Sequence, residues 1–189
     1  MIRIGILGDI GSGKTFVAKS FGYPVFNADA EVARLYEKNL NVFRKLKKAL
    51  PKYFYKFPID KALISKAILA NNQNLNKIIK IVHSEIRKKL RIFIKKNKKK
   101  KIIILDIPLL LENEINKKND ILIFVQSNKS RINKELKKRP NFSKELLKKF
   151  KKIQLPLDYK KKKSDFIIKN NFTKNSVKLG IEKVLKNLK

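Results

Sequence analysis

The chain carries 48 lysines and arginines against 15 acidic residues, a formal charge of +33, and such a surplus makes a positive field that draws polyanions: nucleic acid, anionic membrane or phosphorylated metabolites. Its 189 residues hold one full core and exclude two ordinary domains, so a second unit is expected only as an insertion. The lack of cysteine excludes disulfides, thiolate chemistry and cysteine zinc sites.

The charge alone does not specify a partner. Only seven of the basic residues are arginine (Arg3, Arg34, Arg44, Arg87, Arg91, Arg131, Arg139), and the lysines travel with abundant Asn and Ile, whose codons are A/T-rich. A nucleic-acid face more often interleaves arginine with stacking aromatics, because Arg forks onto guanine or phosphate whereas Lys acts as a point charge. That pattern is missing, so no specific nucleic acid is expected; a basic nucleic-acid-binding protein stays as the alternative of a different class. The N-terminal residues lack the basic segment, apolar core and cleavage site of a signal peptide, and no apolar run approaches the roughly 20 residues of a membrane helix. A cytoplasmic, soluble protein with no membrane partner is expected, and the oligomeric state is left open.

In chain order, the apolar run Ile2-Arg3-Ile4-Gly5-Ile6-Leu7 reads as a strand. It feeds Gly8-Asp9-Ile10-Gly11-Ser12-Gly13-Lys14-Thr15, which fits G-x-x-x-x-G-K-[ST] without a gap. A strand, a glycine-rich turn and a helix point backbone N–H groups and a helix N-terminus at one spot, and that spot attracts phosphate. Gly8, Gly11 and Gly13 allow the tight curl around Ser12, Lys14 is expected to reach the β- and γ-phosphates, and the Thr15 hydroxyl is expected to ligate Mg²⁺.

After a turn at Gly22-Tyr23-Pro24, Val25-Phe26 reads as a short buried strand ending in Asn27-Ala28-Asp29, with a helix behind it. Asn39 to Leu50 reads as a helix stopped by Pro51, and the aromatic connector Tyr53 to Pro58 as core packing. Asp60 can cap the next helix. From about Asn74, apolar residues recur every three or four positions through Ile94, predicting one long amphipathic helix. This helical block between two strand–helix units looks like an insertion that covers a substrate. Beyond the solvated lysine run 98–101, Ile102-Ile103-Ile104-Leu105 reads as a central parallel strand ended by Asp106. Ile121 to Val125 reads as a fourth strand and Asp165 to Ile168 as a fifth, with a closing helix marked by Val177, Ile181, Val184 and Leu188. Between the last two strands, Arg131 to Arg139 and Ser143 to Lys152 read as two helices, the second ended by Pro156.

Five apolar strands alternating with helices predict an α/β fold with a five-stranded parallel, doubly wound sheet, whose ligands bind beyond the carboxyl ends of the strands. Asp29, Asp106 and the phosphate loop all fall there. Phosphoryl transfer fits: the loop holds the phosphates, Asp106 suits the Mg²⁺ shell and Asp29 the acceptor. The competing reading for each aspartate is a cap on the following turn or helix. Arg139 lies in the basic segment where a small-molecule kinase carries its lid; a merely solvated arginine competes. His83, the only histidine, stands one turn from Arg87 on the long helix and shares its face, against the bland reading of a surface pair.

These residues resemble the dephospho-CoA kinase family along nearly the whole chain. The phosphate loop is similar to the family's G-x-I-G-x-G-K-[ST], and Asn27-Ala28-Asp29 to its D-A-D. Ile81 to Arg87 resembles I-x-H-P-x-[VI]-R, and Asp106 to Glu112 resembles D-[IV]-P-L-L-[FL]-E. Gln154-Leu155-Pro156 and Asp165 to Asn170 match Q-x-P and A-D-[FY]-[VI]-I-x-N. The resemblance implies transfer of the ATP γ-phosphoryl group to the ribose 3′-hydroxyl of dephospho-CoA, with Mg²⁺, on a P-loop kinase fold with a helical acceptor-binding insertion and a helical lid. It implies a core at 1–38, 102–130 and 160–189, an insertion at about 39–100 and a lid at about 131–158. By position it makes Asp29 the carboxylate facing the 3′-hydroxyl, His83 and Arg87 acceptor-binding, Asp106 placed between metal and acceptor, Arg139 the lid arginine, and Asn170 near the adenine. Another P-loop small-molecule kinase, such as a nucleotide kinase, is the nearer alternative. The chain departs from the family pattern at Asn27, in place of an aspartate, at Ser84, in place of a proline, and at Glu135, in place of an arginine; Asp9 adds a like charge beside the phosphates.

Overall fold

A computed structural model describes residues 1–140 and 142–188. Asn141, within the expected lid, and Lys189, at the end of the expected closing helix, lie outside the described residues. The chain opens with β1 (Ile2–Gly8), α1 (Lys14–Ser20), β2 (Val25–Asn27), α2 (Ala28–Lys38), α3 (Leu40–Ala49), α4 (Lys61–Ala70) and α5 (Asn72–Lys96). It continues with β3 (Ile102–Asp106), β4 (Ile121–Gln126), α6 (Lys129–Lys137), α7 (Lys144–Lys152), α8 (Leu157–Lys162), β5 (Phe166–Lys169) and α9 (Lys174–Lys186).

The chain divides into two compact units: Met1–Asn27 together with the chain from Asn97 onward, and Ala28–Lys96. In the first, five parallel strands run in the order β2-β3-β1-β4-β5. This is the expected doubly wound α/β sheet. Every residue of β3 and all but the first of β1 are buried, which is why both read as nearly unbroken apolar runs. Ile4 and Ile6 of β1, Val17 and Ala18 of α1 and Val177 and Ile181 of α9 share one core. Gly5 leaves the central strand without a side chain, and Leu110 fills the space: an added Cβ would lie 2.5 Å from its Cδ2. That contact presses the segment following Asp106 onto the strand that feeds the phosphate loop.

The second unit is helical. Asn39 caps α3 by accepting from the Val42 N–H at 2.9 Å, and Asp60 caps α4 by accepting from Ala62 at 2.8 Å. Leu75, Ile78, Val82, Ile86 and Leu90 form the buried stripe of α5, the periodicity legible in the sequence. In the aromatic connector Phe54 is buried and Phe57 packs against Phe43 with ring centroids 5.6 Å apart, whereas Tyr55 is exposed. The unit includes α2, whose buried Leu35 and Tyr36 belong to a helix that packs against α5 and α3.

The region expected as a lid differs in two places. The first helix starts at Lys129 and buries Ile132 and Leu136. Pro156 does not end the second helix, which stops at Lys152; it stands at the N-cap of α8 with φ −51°, a value that suits helix entry. The six-residue α8 was missed because it is too short to show a period.

Candidate active site

The phosphate loop lies at the carboxyl end of the sheet's central strand, between Gly8 and Lys14. Gly13 caps α1 in the left-handed region (φ 86°, ψ 23°), and an added Cβ would stand 2.2 Å from Asn170 Nδ2. At Gly8 (φ 142°) a Cβ would meet the Val125 carbonyl oxygen at 2.7 Å. Only glycine fits either position. Gly11 rests on Leu136 and Ile132 of α6.

Long-range hydrogen bonds hold the loop in place. The Ser12 carbonyl accepts from Asn170 Nδ2 and from Ser127 Oγ, both at 2.9 Å. Lys14 Nζ donates to the carbonyls of Gly8 (3.2 Å) and Asp9 (2.7 Å). The Ser12 hydroxyl is buried without a partner among the described residues. A glycine cradle that any Cβ would fill, a lysine over its rim and an orphaned buried hydroxyl are the donor set that a nucleotide's phosphates satisfy.

Asp9 spends one carboxylate oxygen on the Ile10 N–H (2.7 Å) and sets the other 4.0 Å from Lys151 Nζ of α7. The like charge beside the phosphate site therefore has a lysine facing it. Asp106, 3% exposed, closes β3 directly opposite Asn27 in the β2–β3 register, and Asn27 Nδ2 donates to its Oδ2 at 2.5 Å. The amide thus gives the Asp106 carboxylate a donor at the position where an aspartate at 27 would bring a like charge against it. Thr15, in the first turn of α1, and Asp106 are the oxygen donors suited to Mg²⁺. The ion needs only one or two protein ligands when phosphates and water complete its shell.

Asn170 is 2% exposed. Besides its bond to Ser12, its Oδ1 accepts from the Phe172 N–H at 2.8 Å, so both ends of the amide serve the chain itself. Arg139 is exposed just past α6, its N–H bonded to the Leu136 carbonyl. Arg131 donates to the Asn171 carbonyl, and Glu135 pairs with Lys138 at 2.6 Å.

The helical unit carries the other three candidates. Asp29 is exposed in the first turn of α2; half-buried His83 and exposed Arg87 lie one turn apart on α5. Between those two, Glu85 meets Lys88 at 3.0 Å and Lys45 at 3.1 Å. The hydrogen bond from Lys88 holds its carboxyl below the usual carboxylate range, and Lys45 adds to the effect.

Sequence reasoning put Asp29, Asp106 and the loop at one sheet edge; the structure has the loop and Asp106 at the carboxyl ends of β1 and β3, and Asp29 in the first turn of α2, two residues after β2. Sequence reasoning missed Ser127, Lys151 and the pairing of Glu112 with Lys160. Ser127 was within reach, because it directly follows the strand β4 at the edge where ligands bind.

A phosphate loop on the central strand of this parallel sheet, with a buried carboxylate ending the adjacent strand, defines a P-loop phosphotransferase of the small-molecule kinase type. A family model described as dephospho-CoA kinase matches residues 2–175, and the chain belongs to that family. A dephospho-CoA kinase of Wolbachia sp. subsp. Brugia malayi (strain TRS) is 35% identical, with 98% of this chain and 97% of the relative covered. Among solved structures, a Thermus thermophilus protein superposes with a TM-score of 0.76 at 25% identity, covering 100% of this chain and 98% of that one. The dephospho-CoA kinase of Campylobacter jejuni shares the fold with a TM-score of 0.64 at 22% identity, covering 98% and 96%.

Proposed function

We propose that the protein transfers the γ-phosphoryl group of ATP to the ribose 3′-hydroxyl of dephospho-CoA, giving coenzyme A and ADP, the last step of coenzyme A synthesis. The observation that carries this reading is the buried Asp106 beside the strand that feeds the phosphate loop, in a chain of the dephospho-CoA kinase family.

The chain's own residues divide the work. Backbone N–H groups from Gly11 to Thr15 and the Ser12 hydroxyl bind the phosphates, and Lys14 neutralises charge on the β- and γ-oxygens. Thr15 and Asp106 would hold Mg²⁺, which when bound offsets phosphate charge. Asp29 takes the proton of the attacking 3′-hydroxyl, so that one O–P bond forms as the bond to the ADP oxygen breaks. His83 and Arg87 bind the acceptor's anionic groups, and Arg139 stabilises charge on the transferring group. Asn170 acts on ATP through the loop it braces.

The test is acceptor dependence. ADP release from Mg-ATP should rise on adding dephospho-CoA and stay at background with nucleosides or shikimate; stimulation by a nucleoside alone would replace this reading with that of a nucleotide kinase.

A further inference from the structure

One buried ion pair has no place in the reaction as described. Lys160 of α8 is 1% exposed and its Nζ lies 2.5 Å from Glu112 Oε1, on a side chain 9% exposed. The same Oε1 accepts from the Leu155 N–H at 3.0 Å, while Glu112 Oε2 is buried without a partner among the described residues. Glu112 ends the segment that starts at Asp106 and packs Leu110 onto Gly5. Leu155 lies between α7 and α8, and α8 packs along β1. One carboxylate oxygen thus ties together the segment behind Asp106, the exit of the α6–α7 region and the helix lying on the strand of the phosphate loop.

Stability alone does not account for this arrangement. An apolar pair of similar volume is commonly as stable as a buried ion pair, or more so, because desolvation offsets the Coulomb gain. What an apolar pair cannot do is accept the Leu155 N–H and set the distance between the two segments. We propose that Glu112 and Lys160 are positioning residues that anchor the carboxyl end of the α6–α7 region to the Asp106 segment, so that this region closes over bound nucleotide in one geometry. The proposal rests on the phosphotransferase reading above for its turnover arm, but not for its binding arm.

Two variants test it. In Glu112→Met/Lys160→Met no buried charge is left unpaired and only the Leu155 N–H loses its acceptor, so the variant should still fold cooperatively, with a melting temperature no more than about 10 °C below wild type. Its ATP Kd should stay within about threefold, and kcat should fall about tenfold or more, as misplacement by about 1 Å does. Glu112→Asp keeps a charge beside Lys160 but is one methylene short of holding both donors, so it should lose kcat similarly while folding. Hydrogen exchange supplies a readout that needs ATP alone: protection of residues 144–156 on adding ATP should be present in wild type and reduced in both variants. Wild-type kcat in a folded Glu112→Asp, or full ATP-induced protection in either variant, would overturn the proposal. Absence of coenzyme A formation by the wild type, with the exchange pattern intact, would fault only the acceptor assignment.

Discussion

Replacing Asn170 with alanine removes the brace of the phosphate loop, and its cost can be worked from two bonds. The amide donates to the Ser12 carbonyl at 2.9 Å and accepts from Phe172 at 2.8 Å. Each such bond contributes about 0.5–1.5 kcal/mol net, so the pair stabilises by about 1–3 kcal/mol. The two ends are not equal. Ser12 keeps the Ser127 hydroxyl as a second donor, whereas the Phe172 N–H, on a residue at φ 62°, loses its acceptor. For a domain of this size the loss corresponds to a fall of about 2–12 °C in melting temperature. A loosened loop grips phosphates rather than the base, so the KM values for ATP and GTP should rise together, by about tenfold, with their ratio unchanged. Differential scanning calorimetry and parallel ATP and GTP kinetics check this. An unchanged melting temperature with a collapse of the ATP-over-GTP preference would refute the bracing role and place Asn170 at the adenine instead.

The remaining expectations concern other parts of the molecule. Gly13→Ala must adopt φ 86° with its Cβ 2.2 Å from Asn170 Nδ2, so affinity for a fluorescent ATP analogue should drop at least about tenfold; wild-type titration curves would contradict the cradle. Asp29→Asn should lower kcat about 10²–10⁴-fold while ATP still binds, and wild-type turnover would retire Asp29 as the base. In the helical unit the Glu85 carboxyl titrates below its usual range in the folded state, so the stability it adds is present above the unfolded-state value and lost as pH falls through the lower folded one. Both lysine partners are largely exposed, so Glu85→Gln should cost no more than about 1 kcal/mol at neutral pH, with the difference vanishing in acid and shrinking in salt. Denaturant titrations at neutral and acid pH read this directly, and a penalty undiminished in acid would show that the ion pairs are not its source.

What the sequence disclosed follows from how local each cause is. Gly8 to Thr15 could be read because each residue type answers a requirement within eight positions: a left-handed turn, a helix start, a lysine and a hydroxyl. The run Ile102 to Leu105 announced a buried parallel strand because both faces of β3 are covered. The bond from Asn170 to Ser12 was not legible, since it joins residues 158 positions apart through the β1–β4–β5 order. Asp9 stood out as an unexplained charge until α7 brought Lys151 to it. Lys160 sits in a run of four lysines, and nothing local distinguishes it from its neighbours; only the packing of α8 against β1 singles it out as buried. The partner of α2 was not legible for the same reason: its apolar residues announce a buried face but not what covers it.

The most direct test of the proposed reaction is identification of the product. The protein incubated with Mg-ATP and dephospho-CoA should yield coenzyme A carrying the new phosphate on the ribose 3′-oxygen, one equivalent per ADP released, as read by phosphorus NMR and mass spectrometry. Phosphate on any other position, or ADP formed without coenzyme A, would contradict it.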